Sequence, residues 1–598
     1  MGEDSRWIPP LRAGRRPAGA ALLGWLDDER APRLCRVSGA RGAGKSHLLA
    51  WLVRAGTAPG TPTSHRVHTV LPAAGVTVRG AVWMLGRRYG VVARSPRELL
   101  AALAEDERRT VICVPELGRA VQPARLVSEL LDPLLELPHV RLLVEASTGS
   151  PEAEAFRAVP SPAVLDLDEP QWTDRDRFAS WCAEQGADAY AYPSPGLALG
   201  MPREPAPEGL EQLLARVPVG PVGSPDLTAA GEDLLTELWT ATARTGGLAS
   251  LAADPLLHAL AGPLAVTAAL EEADSPFAQA WDAAGPALIE EADPAVRVAV
   301  LRTRLLGPGG DAPARSAGGR AAGGRAAWAG HWADWRSGPA VSTAVGAGPS
   351  AGRLLLADVS GAVRTVEAAT GRALGQVAVP GPKPLRGLAV SPGGSVILLD
   401  VWGGTELVPP AAAAGGLEPY ALAEALAVLR DAAAEISAVA VAAGLPETAP
   451  AVGDAAGAVH RYENGEVWSE RLHRGPVTAL AAATPGGTAA PGLPLLVSGG
   501  FDGVVRLWEP GTEPRAEPTD RRDCPVTAVA VGETPGGAAV VAAWADGLVR
   551  VRQLGDPDEV LDLRLGSQVW SLALTGGLLV LGTPDGVAAV GFETARTG

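Results

Sequence analysis

Six segments of alternating Val, Leu and Ala, each closed by a turn glycine, fill the second half of this 598-residue chain. The glycines are Gly361, Gly404, Gly457, Gly503, Gly547 and Gly586, at intervals of 43, 53, 46, 44 and 39 residues. A spacing of about 40–45 residues is what one four-stranded antiparallel sheet and its loops consume. Asp-Gly pairs such as Asp502-Gly503 suit tight hairpins because glycine accepts a positive φ. One such sheet cannot cover both of its faces, so the units must stack, and a closed ring satisfies them all. The pattern predicts an all-β propeller over residues 331–598, of six blades, or seven if one is degenerate. A β-sandwich is the alternative. The long interval contains "LEPYALAEALAVLRDAAAE" (Leu417–Glu435), which predicts a helical insertion. The last segment lacks a clear fourth strand, and "AWAGHWADWRSG" (Ala327–Gly338) is placed to close the ring from the other end.

Residues 475–510, "GPVTALAAATPGGTAAPGLPLLVSGGFDGVVRLWEP", carry the clearest copy, with Ser498-Gly499-Gly500-Phe501-Asp502-Gly503 at its turn. This segment resembles one repeat of the WD-repeat family. It departs from that pattern in two ways: the Gly-His signature is absent, and Leu507-Trp508-Glu509 is the nearest approach to a Trp-Asp ending. The resemblance implies a rim that binds protein partners. Nothing in the repeats offers a catalytic cluster, and Asp502, Asp546 and Asp585 read as turn residues.

The first half carries a different signal. In "RLCRVSGARGAGKSHLLAWLV" (Arg33–Val53), a buried-strand pattern runs into Gly39-Ala40-Arg41-Gly42-Ala43-Gly44-Lys45-Ser46 and then an apolar helix. This matches G-x-x-x-x-G-K-[ST] in full. Glycines let successive N–H groups turn toward phosphate oxygens, and the helix start adds its positive dipole end. Lysine supplies a compact charge for the β- and γ-phosphates, and the Ser46 hydroxyl completes a Mg²⁺ shell. Only two of the 51 basic residues are lysines, Lys45 and Lys383, so one of the two stands in this loop. The expected cofactor is ATP or another NTP with Mg²⁺, held by Gly39 to Ser46 and His47, with Ser46 on the metal.

Strand patterns at Val67–Leu71, Thr110–Val114, Val140–Ala146 and Ala163–Asp168 alternate with helical ones, which predicts a doubly wound parallel sheet over residues 1–172. One of those helices opens on Ser95-Pro96-Arg97-Glu98, a capping box with proline at the first helical position. A P-loop ATPase also needs an acid at the end of a second apolar strand to hold the metal. "TVICVPEL" offers Pro115-Glu116, so Pro115 stands where the Walker B aspartate is expected. Glu116 falls at the place of a water-activating acid, or serves the metal instead. The next strand ends in "VEASTGS", where Glu145, Ser147 or Thr148 could sense a γ-phosphate and an exposed turn explains them equally. Slow hydrolysis, or none, is the expectation.

Residues 173–306 read as a helical domain. Within it Gly262-Pro263-Leu264-Ala265 is similar to the Gly-x-Pro-Leu-Ala turn of the STAND class of signalling ATPases, a resemblance that implies a proline near the bound base. Residues 307–330 are low-complexity Gly, Ala and Arg and read as a flexible linker.

Composition narrows the classes. A net charge of −16 excludes a general nucleic-acid or acidic-membrane binder. No apolar run is long enough to span a bilayer, no signal-peptide core opens the chain, and a cytoplasmic location is the default. Cys35, Cys113, Cys182 and Cys524 stand far apart and read as small core residues. The near-exclusive use of arginine, with abundant Ala, Gly and Pro, points to a GC-rich bacterial genome. Two functions are carried forward: an ATP-dependent signalling switch with a protein-binding propeller and nucleotide-dependent self-association, or an interaction scaffold with a degenerate ATPase domain.

Overall fold

The computed structural model describes residues 11–57, 61–147, 149–187, 195–200, 208–220, 223, 225–245, 255–307, 326–410, 417–441, 449–463, 465–483, 495–556 and 558–592. They form two compact units, one from the described residues of Met1–Tyr89, Ala93–Ala253 and Ala261–Asp274, the other from those of Gly90–Val92, Asp254–Leu260 and Ser275–Gly598. Most of the low-complexity stretch read as a linker, residues 308–325, lies outside the described residues.

The first unit is built on a five-stranded sheet of β1 (Leu34–Ser38), β2 (Thr69–Val70), β3 (Thr110–Val114), β4 (Val140–Glu145) and β5 (Ala163–Asp166). Its order is β2-β3-β4-β1-β5 and every pairing is parallel. All five residues of β3 are buried, as continuous Val/Ile runs are when helices cover both faces. Helices α1 (Arg16–Asp27) and α2 (Lys45–Thr57) bring Leu22, Leu26, Leu48 and Leu52 onto Val37 and Leu143 of the sheet. Burial pushes the thiols of Cys35 and Cys113 up to about 12, so both act as small apolar core groups. At the helix Pro96–Ala104, the Ser95 hydroxyl accepts from the Glu98 N–H at 3.3 Å. The Glu98 carboxylate reaches back one residue further than a capping box requires, to the Arg94 N–H at 2.9 Å. Helices Arg175–Glu184, Glu232–Thr245 and Pro263–Ala269 complete this unit.

The second unit is a six-bladed propeller. Its sheets span residues 342–377, 385–408, 436–471, 477–521, 526–563 and 571–592, and strand β6 (Trp328–Asp334) joins the last of them. The innermost strands, Ser342–Val345, Leu385–Val390, Ile436–Val441, Val477–Ala483, Val526–Thr534 and Ser571–Thr575, adjoin in sequence, and the last returns to the first. β6 pairs antiparallel with Gly586–Phe592, from Val587 opposite Asp334 to Phe592 opposite Trp328. The ring is thus closed by a strand from the opposite end of the propeller sequence. The second blade has three strands, and the helix Leu417–Ala432 follows them. That helix buries Leu422, Leu426 and Leu429 against Leu399, Ile436 and Val452, covering apolar surface of two neighbouring blades.

The turn glycine of the second blade differs from the sequence reading. Gly403, not Gly404, takes the left-handed conformation (φ 84°), while the Gly404 N–H donates to Asp400 Oδ1 at 2.8 Å. At Gly503 (φ 75°) a Cβ would stand 2.0 Å from the carbonyl oxygen of Arg522, so only glycine fits.

Asp502, Asp546 and Asp585 are held by basic or hydroxyl groups from inter-blade loops and, at Asp585, from a helix as well. His473 lies between Asp502 (Nδ1 to Oδ1, 3.1 Å) and Ser498 (Nε2 to Oγ, 2.9 Å). A neutral ring donates from Nδ1 to the carboxylate and accepts the serine proton at Nε2. Burial works against charge on Asp546, but Arg564 and Arg522 outweigh it and hold that carboxyl below the ordinary range. Arg304, on the helix Pro294–Leu305, bonds Asp585 Oδ2 at 3.0 Å and the Leu565 carbonyl at 2.8 Å, with its side chain 2% exposed. It also stacks over Trp335 at 4.3 Å, so this helix is fastened to the last blade.

Arg304→Met keeps the stem and removes both polar bonds, at a cost of about 1–3 kcal/mol. The thermal transition of the propeller unit is expected to fall by a few degrees, and an unchanged transition would show the contacts to be incidental. His473 gives a pH signature. Burial lowers its pKa below the usual value near 6.5, so on acidification the unfolded chain takes up a proton first. Stability from this residue is complete above about pH 6.5 and declines as pH falls toward the folded value. Denaturant titrations at pH 7.5 and 5.5 should show that loss, with a shallower slope in His473→Gln.

Candidate functional site

The segment following β1 turns on three glycines with positive φ, Gly39 (133°), Gly42 (85°) and Gly44 (92°), and enters α2 at Lys45. Two side chains and one backbone bridge fix this loop from outside. Buried Arg15 donates to the carbonyls of Ala43 (2.7 Å) and Leu167 (2.9 Å) and to Thr173 Oγ1 (2.7 Å). Burial lowers the Arg15 pKa from its ordinary value, against the pull of Asp168. Asp168, just past β5, accepts from the Ala40 N–H at 2.7 Å, and the Gly196 N–H donates to the Gly42 carbonyl at 2.9 Å.

The loop forms one wall of an open cleft of about 1390 Å³, lined by Gly39, Ala40, Arg41, Gly42, Gly44, Lys45, Ser46 and His47. Ala43 stands apart from these. It is buried, its N–H closes a turn to the Ala40 carbonyl at 3.1 Å, and its carbonyl anchors Arg15. Glu116, Arg119, Glu145, Asp166 and Asp168 line the same cleft, and so do Trp181 and Gln185 of the helix Arg175–Glu184. Pro263 opens a helix whose cap, Gly262, donates to Thr236 Oγ1 at 2.8 Å, and the turn Gly262–Ala265 is not among the residues lining the cleft. Thr148 lies outside the described residues.

Two carboxylates meet the loop differently. Glu145 ends β4, the strand beside β1, in register with Val37. Its Oε2 accepts from the Ser46 hydroxyl at 2.9 Å, and its Oε1 lies 4.0 Å from Lys45 Nζ. Lys45 Nζ meanwhile donates to the carbonyls of Gly39 (2.9 Å) and Ala40 (3.1 Å). Glu116 follows β3, one strand further from β1. Its carboxylate is joined to Arg119 Nη1 at 2.6 Å, and its own N–H donates to Glu145 Oε2 at 3.2 Å. Glu116 is also left-handed (φ 54°, ψ 35°), a conformation that costs a residue with a side chain about 1–2 kcal/mol.

Lys45 and the loop N–H groups suit a polyphosphate, and the donor chemistry fits magnesium. Ser46 and Glu145 offer hard oxygens, and Mg²⁺ on a nucleotide takes one or two protein oxygens, with phosphate and water filling the rest. Among the described residues no three His, Cys, Asp or Glu side chains gather to hold an ion by themselves. Glu145 in contact with Ser46 is the feature the residues alone could not assign. Strand patterns reveal that β4 exists and ends in an acid, but not that it is β1's neighbour.

The class these parts define is a parallel α/β unit with a glycine-loop cleft, joined in one chain to a six-bladed propeller. No family model matches the chain, and no curated protein matches it. Solved structures to which it is similar include the computationally designed Ika8 protein (18% identity, 42% of this chain and 71% of that one, TM-score 0.26). The RRP9 WD40 repeats (16%, 43% and 96%, TM-score 0.28) and U3-55K (16%, 43% and 96%, TM-score 0.27) are others. The propeller assignment rests on the sheet topology and ring closure described above.

Glu116→Gly removes the left-handed strain and loses only a half-exposed ion pair, of small worth. The first unit is expected to gain up to about 1 kcal/mol in a denaturant titration. A loss of stability would mean that the Glu116 side chain holds the cleft together.

Proposed function

We propose that this chain is an ATP-binding signalling or scaffold protein in which nucleotide controls recognition by the propeller. One observation carries the reading: a glycine loop with three positive φ angles leads into a helix start, with Lys45 and Ser46 at the wall of an open cleft. Backbone N–H groups and the helix dipole favour phosphate there, and Lys45 exchanges its carbonyl partners for phosphate oxygens. The order of parts, a glycine loop followed by helical segments, is similar to the STAND class, and the switch is taken from that likeness. For a switch to work, ATP must bind two arrangements of the chain with different affinity, because a ligand moves an equilibrium only by that difference. The propeller recognises a protein partner, and ATP also governs self-association.

The second reading, a scaffold whose nucleotide is structural, is favoured by the state of Glu116. Its carboxylate is engaged by Arg119 at 2.6 Å, and Pro115 supplies no metal ligand. Hydrolysis is accordingly slow under either reading, since a general base must be free to take a proton from water.

Calorimetric titration of the full chain with ATP and Mg²⁺ is expected to show one site, weakened at least about tenfold in Lys45→Ala by loss of the phosphate-facing charge. Sedimentation of the same samples separates the readings. A change of association state with ATP supports the switch, and identical behaviour with and without bound ATP leaves the scaffold.

A further inference from the structure

We infer that Glu145, at the end of β4, is the carboxylate through which this site holds a divalent cation on the nucleotide. The inference rests on the nucleotide reading of the cleft, and it moves the metal function away from the strand on which the sequence pattern looks for it.

Three observations converge on Glu145. The first is position: in the order β2-β3-β4-β1-β5, β4 lies directly against the strand that feeds the loop. Neighbouring strands stand about 4.8 Å apart, so a group on β3 starts roughly twice as far from the loop as one on β4. The second is contact. The Ser46 hydroxyl, the loop's one candidate metal ligand, already donates to Glu145 Oε2 at 2.9 Å. Glu116 makes no such contact among the bonds described. Its side chain turns to Arg119, and only its backbone N–H meets Glu145. The third is charge. Glu145 is 12% exposed, and its Oε1 lies 4.0 Å from Lys45 Nζ, longer than a hydrogen bond. When Lys45 turns to phosphate, that carboxylate and the phosphate oxygens form a partly buried group of like charges. A divalent cation between them turns repulsion into attraction, and Ser46 and Glu145 provide the two protein oxygens that Mg²⁺ characteristically takes beside phosphate and water.

Alternative duties for Glu145 predict something else. A carboxylate that only holds Ser46 in place, or that senses a phosphate by hydrogen bonding, has no reason to respond in opposite directions to ATP with and without metal. A cation ligand does. Without metal, Glu145 repels the phosphates; with metal, it attracts the complex.

The test is a matched set of titrations on the full chain: wild type, Glu145→Gln and Glu116→Gln, each with ATP in EDTA and with ATP in excess Mg²⁺. Glu145→Gln keeps an acceptor for Ser46 and removes the charge. It is expected to bind ATP as well as wild type or better in EDTA, by up to about threefold, and to bind Mg·ATP about tenfold or more weakly. Glu116→Gln should retain the wild-type gain from Mg²⁺. Mn²⁺ gives a second readout by electron paramagnetic resonance, where the protein-bound Mn·ATP signal of wild type and Glu116→Gln should be lost in Glu145→Gln. Equal weakening of Glu145→Gln in both media marks a positioning role and overturns the inference. So does loss of the Mg²⁺ gain in Glu116→Gln alone. If wild type binds ATP in neither medium, the nucleotide reading itself fails, a result distinct from either of these.

Discussion

The pairing of β1 with β4 governs the chemistry of the first unit. Because β4 inserts between β1 and β3, the carboxyl end of β1 has Glu145 on one side and Asp166 on the other, in register with Val37 and Ser38. The loop leaving β1 therefore passes between acids, and its N–H groups and Lys45 must find their partners among them. They do so in part: Ala40 bonds Asp168, and Ser46 bonds Glu145. Lys45 satisfies itself on loop carbonyls, bonds that cost little to exchange because the carbonyls remain at the edge of an open cleft. The Glu145 carboxylate stands further off, with Oε1 4.0 Å from Lys45 Nζ.

How much of this was written in the chain divides along the range of the interactions. β3 and β4 match their apolar runs closely, since a strand buried on both faces needs nothing but such a run. The six blades followed from a periodic turn, and even the strand that closes the ring stood out as a surplus segment before the first blade. Partners chosen by topology were not legible. Ser498 and Asp502 lie within one repeat, yet His473 reaches them from the loop before it, with no Gly-His pair to mark the place. Gly403 took the turn that Gly404 was expected to hold, because Asp400 captures the N–H of the second glycine and fixes the register. Arg15, the residue that ties the glycine loop to Leu167 and Thr173, had no local pattern at all, since its three acceptors lie 28 to 158 residues away.

The same device recurs in the propeller in several chemical forms. Asp502 and Asp546 accept from backbone N–H groups of their own hairpins, and these two and Asp585 each meet a further group from outside the turn. The imidazole of His473, itself held by Ser498, serves Asp502, two guanidinium groups serve Asp546, and Ser567 with Arg304 serve Asp585. The common requirement is that a carboxylate partly shut away from water must be paired, because removing its partner leaves an uncompensated charge. This explains how the repeats depart from a WD-type signature and still close a ring. The signature residues are one solution to a pairing problem that arginine solves as well, and this chain uses arginine almost wherever it needs positive charge.

That substitution at Asp585 has a structural consequence beyond the blade. Arg304 belongs to a helix preceding the propeller, so the pairing group for the last turn comes from outside the repeat array. The helix Pro294–Leu305 is thereby part of the ring's own electrostatics, and its neighbour Glu290 completes the link by pairing with Arg564, a partner of Asp546. A disturbance that moves these helices must either carry the last two blades with them or break the Arg304–Asp585 and Glu290–Arg564 pairs, leaving the buried Arg304 uncompensated. Of those outcomes the first is far cheaper, which makes the helical segment and the final blades a single mechanical piece.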